Sequence, residues 1–378
     1  MSFRPGLYYK YASQALNGIN KSLEDKLLPG MENIIRPEFE FAGKNIAFLA
    51  GMSYKWFNDI DAAESIGKLS PNGYKEIDLD AKLYARITTN QYVTALFQKS
   101  TQIDVPLFHK IVSGDYSVYS FSPQDRILTY LRHEIYFQNN LLRKITTTAS
   151  YQKSLEFRQK QKSGSLNWAE EEDIADVYGF NVELFSMPKP YWKINTSFEI
   201  YHDLIQSQTE EFTPDQTQIV RGLYPDNSRF TTIGASSMHS FDFEKWNIQA
   251  GIRYNKYLLS VTDTLFGNTK LQPEALVGNI GITRKLGKHF SFILSANTGF
   301  RSPNINDVSS FGIADFRYEV PSANLKPEKS ITYELGLKQK HRFLQSSVFI
   351  FRTDLYDLIT NVRTSYLGAD SVLLNNES

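Results

Sequence analysis

The chain has 378 residues, with 41 Lys plus Arg against 41 Asp plus Glu, six His and no cysteine. This balance argues against a sequence-wide attraction to nucleic acid, and the missing thiols exclude disulfides, thiolate metal sites and cysteine nucleophiles. A mean hydropathy of −0.37 with 41% hydrophobic residues excludes a mostly disordered chain, and no run approaches the ~18 apolar residues of a membrane helix.

Met1-Ser2-Phe3-Arg4-Pro5-Gly6 lacks the basic start and apolar core of a secretory signal. From there period two dominates. Ile46, Phe48, Ala50, Met52, Tyr54 and Trp56 make the first clear apolar face. Trp192, Ile194, Phe198 and Ile200 then alternate with Lys193, Asn195, Ser197 and Glu199. Ile248, Ala250, Ile252 and Tyr254 alternate with Gln249, Gly251, Arg253 and Asn255. In the segment from Phe290 to Phe300, Phe290, Phe292 and Leu294 oppose Ser291, Ser295 and Asn297. A strand with one apolar face requires this pattern. The apolar rows are expected to face outward, with Gln249, Arg253, Asn195, Glu199, Ser295 and Asn297 on the inner face.

Several segments run about 10 to 13 residues, beyond the ~5–6 of soluble strands and close to the ~9–11 of a tilted membrane strand. Short turns are predicted near 42–45, 89–90, 139–140, 187–190, 243–245, 285–288 and 340–342. Long polar loops are predicted at 16–33, 58–78, 99–125, 159–173, 204–228, 259–272 and 301–328. Strict alternation of short and long connections predicts an antiparallel transmembrane β-barrel, with short periplasmic turns and long extracellular loops; a soluble β-sandwich, whose strands also alternate but are usually shorter, is the alternative. The acidic run Glu170-Glu-Glu-Asp173 and the basic run Arg158-Gln-Lys-Gln-Lys162 are assigned to solvated loop sequence. Arg143, Lys144, Arg284 and Lys285 mark strand ends, where cations belong at a membrane interface.

Enzyme signatures are missing. There is no Gly-x-Ser-x-Gly elbow, Walker A loop, Gly-x-Gly-x-x-Gly or His-Glu-x-x-His. His133-Glu134 lacks a second His, and the six His residues have no ligand-pair spacing. Neither a catalytic residue nor a cofactor is assigned.

Three stretches carry a resemblance: Gly299-Phe-Arg-Ser-Pro-Asn304, Val320-Pro-Ser-Ala-Asn-Leu-Lys-Pro-Glu-Lys-Ser330 and Tyr333-Glu-Leu-Gly-Leu-Lys338. Pro123-Gln-Asp-Arg126 and Tyr224-Pro-Asp-Asn-Ser228, each placed before a strand, add to it. Together they resemble the barrel of TonB-dependent outer-membrane receptors, most closely the haem, haemoglobin and transferrin receptor branch. The resemblance implies an all-β fold, with residues 1–378 forming about 15 or 16 of an expected ~22 strands. It also implies a plug domain and last strands outside this sequence.

The same resemblance implies a Gram-negative outer-membrane receptor that takes up a scarce nutrient, an iron complex such as a siderophore or haem. Its partners would be the TonB energy-coupling complex, the small ligand and outer-membrane lipid, without nucleic acid. An adhesion or binding barrel is the alternative, and a barrel hydrolase a third. Ser302-Pro303 and Pro327 fence the loop between the boxes, because proline cannot donate to a ladder. Within that loop Arg301, Asn304, Asp307, Arg317, Tyr318 and Asn324 are the candidate substrate-binding residues, offering charge, hydrogen bonding and an aromatic face. No His lies from Asn304 to Pro321, so no haem ligand is expected there; His109 and His202 are left as donors from other loops.

Overall fold

A computed structural model describes the chain apart from residues 1, 14–30, 63–66, 264–266, 310–311, 315–316, 321, 323–324, 366–367 and 370–378. Eighteen strands join in one hydrogen-bonded sheet, and two small two-stranded hairpins stand apart from it. Two five-residue helices, Phe108–Val112 and Ile305–Ser309, are the α-helices among the described residues. No helix of the described residues is long and apolar enough to cross a membrane, which says nothing of strands.

The chain divides into two compact units. The first holds residues 1–135, 146–180 and 203–227. Its strands Ser2–Ser13, Met31–Ala42, Ile46–Phe57, Tyr74–Arg86 and Gln91–Ile103 follow one another as antiparallel neighbours. The ladder continues into Tyr116–Tyr136, where Gln91 opposes Ile135. The second unit holds residues 136–145, 181–202 and 228–378. It contains Ser228–Asp242, Trp246–Asp263, Glu274–Leu286, Phe290–Arg301, Glu328–Lys340 and Gln345–Tyr356, again paired antiparallel in chain order. The predicted short turns at 42–45, 89–90, 243–245, 285–288 and 340–342 each join two such neighbours.

Four strands are longer than the alternation implied: Tyr116–Tyr136, Lys144–Lys162, Trp168–Lys189 and Trp192–Phe212, of 19 to 22 residues. At ~3.3 Å per residue these reach well past a bilayer. Three predicted boundaries are corrected as a result. The acidic run at 170–173 and the basic run at 158–162 lie inside strands, leaving only 163–167 as their loop. Pro123 to Arg126 lies within a strand and not before it. Of the segment 204–228, residues 204–212 continue a strand and Thr217–Arg221 pairs back onto it.

The two faces of the ladders differ in chemistry. Phe290, Phe292, Leu294, Ile252 and Phe198 are exposed. Opposite them, Arg253 donates to Glu199 on the face assigned to the interior. In the first unit, Arg36 donates to Asp80 at 2.7 Å and to Ser53 at 3.1 Å, and Lys55 holds Glu76 at 2.5 Å and Asp78 at 2.7 Å. The exposed rows are apolar and the opposite rows carry paired charge. A soluble protein with one core would reverse that distribution.

Outside the ladders, Asp59 anchors the connection between Ile46–Phe57 and Tyr74–Arg86. Its Oδ1 accepts the Asn72 and Gly73 amides at 2.7 and 2.9 Å, and Lys68 lies 3.2 Å from Oδ2. Burial alone would raise this carboxyl, but those donors and the Ser70 hydroxyl outweigh it and hold it at about 2. A lowered folded pKa gives stability that is complete above the unfolded value of 3.8 and is lost as pH falls through about 2. Protection of the Asn72 and Gly73 amides, measured as exchange relative to each amide's intrinsic rate at the same pH, should therefore stay high at pH 5 and fall between pH 4 and 2. Asp59→Asn should already show low protection there at pH 5, and protection that does not change with pH in the native protein would refute this.

Candidate functional site

The segment from Arg301 to Glu328 begins where its sequence ends the ladder. Arg301 is the last residue of its strand, and Pro303 behind it has no amide to pair. The Arg301 guanidinium reaches both carboxylate oxygens of Asp307 at 2.8 Å and Glu328 Oε1 at 3.4 Å. Asn304 Oδ1 accepts the Asp307 amide at 2.9 Å, and Asp307 Oδ2 accepts the Asn304 amide at 2.9 Å. This reciprocal pair caps the helix Ile305–Ser309 in the manner of a capping box. Below the cap, Val308 is fully buried against Leu259 and Val261, with Phe230, Leu271, Ile305 and Leu325 packed around them.

The structure thus brings Arg301, Asn304 and Asp307 into one contact set. Tyr318 and the backbone of Arg317 lie on a separate short hairpin, where Tyr318 opposes Ile313 and Arg317 opposes Ala314. Asn324 lies outside the described residues. Glu328 Oε1 also accepts the Ile359 amide at 2.8 Å, tying the end of the segment to the chain that follows.

Arg301 is half-exposed, but two carboxylates already satisfy its charge. The set is therefore net negative. An anionic ligand group would have to displace Asp307 or Glu328 to reach the guanidinium, whereas a hydrogen-bonding ligand can use the arrangement as it stands. Of the two His residues left open by sequence, His109 lies in the helix Phe108–Val112. His202 lies within the strand Trp192–Phe212, where Nδ1 is 2.7 Å from Thr231 Oγ1. No group of three or more His, Asp or Glu arranged to hold a metal ion occurs among the described residues.

A second assembly, in the first unit, was not visible in the sequence. Arg158 is only 8% exposed and Glu171 7%. Arg158 lies 3.1 Å from Glu156, 3.3 Å from Glu171 and 2.5 Å from Asp173, and Lys160 also binds Glu171. Ser207 donates its hydroxyl to Asp173 and its amide to Asp226 at 3.1 Å, while accepting the Tyr224 amide at 3.1 Å. Gln124 donates to Glu156 at 3.1 Å. Gly222 permits this closure, because a Cβ there would lie 2.6 Å from the Gln208 nitrogen. The available signal was alternating cations at 158 and 160 facing alternating carboxylates at 171 and 173 across one hairpin, but charge runs of this kind are common in solvated loops too.

Comparison with known proteins places this architecture. A family model described as TonB dependent receptor-like, beta-barrel matches residues 39–375. The Vitamin B12 transporter BtuB of Vibrio vulnificus (strain YJ016) is 30% identical over 91 residues, covering 24% of this chain and 14% of that protein. The Serratia marcescens hemophore receptor HasR, solved as a double mutant with its hemophore HasA and heme, has a TM-score of 0.71 at 14% identity. That match covers 87% of this chain and 53% of HasR. The copper transporter OprC has a TM-score of 0.70 at 12% identity, covering 87% of this chain and 52% of that one. This chain spans about half the length of these solved structures, and their likeness shows the fold. The chain belongs to the TonB-dependent receptor family as part of its β-barrel, a family of receptors and transporters, not enzymes, that resides in the Gram-negative outer membrane.

Proposed function

We propose that the full-length protein imports a scarce nutrient, an iron complex such as a siderophore or haem, across the outer membrane. TonB supplies the energy by acting on a plug domain within the barrel, and the segment from Arg301 to Glu328 contributes to capture. The observation that carries the proposal is the family match over residues 39–375, joined to a loop whose first turn is capped at the end of a strand. A ligand-binding loop gains where its residues are already held in place, as Arg301, Asn304 and Asp307 are, since less entropy is lost on binding. HasR, solved with heme, supports the iron assignment; OprC, a copper transporter, marks the alternative cargo that the experiment must separate.

The test is growth of a deletion strain on single iron sources, restored with the full-length gene. Rescue on a siderophore or on haem is expected, and rescue on copper limitation alone would overturn the iron assignment. Arg301→Ala frees Asp307 and Glu328 and should lower uptake several-fold while the protein still reaches the membrane. Asn304→Ala removes one half of the cap and should cost about 1 kcal/mol of local stability, with a smaller loss of uptake. Unchanged uptake in both variants would reduce the loop to a structural element.

A further inference from the structure

The two adjacent short turns of the second unit carry a charge pattern that uptake does not use. Residues 284–290 and 338–344 together hold Arg284, Lys285, Lys288, Lys338, Lys340 and Arg342, two His, and no carboxylate. The chain as a whole is balanced at 41 cations against 41 anions, so this is a local concentration. The turns are bonded neighbours: the Lys340 amide donates to the His289 carbonyl at 2.8 Å, and the His289 and His341 rings lie 4.9 Å apart. The next turn joins the edge through the Lys285 amide, which donates to the Lys245 carbonyl at 2.8 Å, and with its flanking strand end it adds one cation, Lys245, and two carboxylates, Glu244 and Asp242, the latter paired with Lys193 at 2.8 Å. By alternation Lys285, Lys338 and Lys340 belong to the row of Ser291, on the face assigned to the interior, so the cations left for the lipid side are Arg284, in the row of Trp246 and Phe292, and the turn residues Lys288 and Arg342.

Directly above this edge runs exposed apolar surface. Arg284 opposes Trp246 on one side and Phe292 on the other, and Phe292 opposes Leu337. The guanidinium lies over the Trp246 ring, 5.0 Å from its centroid. Trp246, Phe292, Leu294 and Leu337 are all exposed. We propose that this edge is a binding site for an anionic phospholipid of the inner leaflet, with the phosphate at Arg284 and Lys288 and acyl chains along the Phe292, Leu294 and Leu337 surface. The proposal rests on the membrane assignment of the family and not on the cargo. An amphiphile matches both features at once, cations at one end and an apolar row beginning beside them, whereas a soluble anion matches only the first.

The test is native mass spectrometry of the full-length receptor in detergent, titrated with phosphatidylglycerol or phosphatidylcholine. The native protein should retain phosphatidylglycerol several-fold more strongly. Each cation removed, in Arg284→Gln and in Lys288→Gln, should weaken that retention by about fivefold, with phosphatidylcholine unchanged. Equal retention of the two lipids by the native protein would overturn the proposal, as would displacement of phosphatidylglycerol by inorganic phosphate. Heat-modifiable gel mobility verifies that each variant is folded. Lys288→Gln, at an exposed turn position, decides the matter if Arg284→Gln does not fold, and unchanged retention in it would count against the site.

Discussion

Replacing Arg158 with Met should be the most destabilising single change in the first unit. Arg158 is buried with Glu156, Glu171 and Asp173 around its guanidinium. Removing the cation leaves Asp173 largely out of water with no cationic partner, and Glu171 with Lys160 alone. Breaking a buried pair from one side costs about 3–5 kcal/mol, most of it the desolvation of the stranded partner. Lys160 offsets part of this through Glu171, but it does not bond Asp173. Asp173 also holds the Ser207 hydroxyl, so the damage should extend to the segment where Ser207 meets Asp226 and Tyr224. Urea unfolding of the full-length receptor, read by tryptophan fluorescence, measures the loss. Arg158→Met combined with Glu171→Gln and Asp173→Asn should recover stability relative to the single variant, because no uncompensated buried charge remains. A single variant within about 1 kcal/mol of the native protein would show that the cluster is solvated in the working receptor.

This cluster also marks where the sequence stopped being legible. Alternation identifies strands wherever one face meets lipid and the other does not, so Ile46 to Trp56, Ile248 to Tyr254 and Phe290 to Phe300 were readable as strands from residue type alone. Most of the short turns were readable for the same reason, since turns fall where the apolar row ends, but the strict alternation fails at 163–167, predicted as a long loop over 159–173 and in fact shorter than the connection at 137–143. Strands that continue past the bilayer have water or protein on both sides, and the apolar row disappears while the ladder persists. Residues 158–162 and 170–173 then look like loops, although they are paired strand sequence.

The loop site was legible in a different degree. Pro303 and Pro327 bounded it correctly, and Arg301, Asn304 and Asp307 do converge. What residue types could not convey is that Asn304 and Asp307 cap a helix, and that Asp307 and Glu328 already neutralise Arg301. A chain position gives a functional group but not the partner that has claimed it.

The second large effect expected concerns which face meets lipid. Leu294 opposes Ile282 on one side and Leu335 on the other, and Leu335 opposes Ile350, forming one continuous row across four strands. Leu294, Leu335 and Ile350 are 47%, 45% and 69% exposed, so water would meet a broad apolar band if this surface were not in a membrane. In the outer membrane the same band faces hydrocarbon. Leu294 is the fifth of the twelve residues in its strand, close to mid-depth, where an arginine on the lipid side costs about 2–4 kcal/mol. Leu294→Arg should therefore lower the unfolding free energy of the receptor in lipid vesicles by that amount. Ser295→Arg, one residue on, projects from the opposite face beside Glu334 and should cost far less, because Ser295 opposes Glu334 directly. Neighbouring residues at equal depth differ only in face, so the pair cancels depth and leaves orientation. A larger loss for Ser295→Arg than for Leu294→Arg would mean that the strand phase is inverted, and a one-residue slip would turn every row of this sheet around with it.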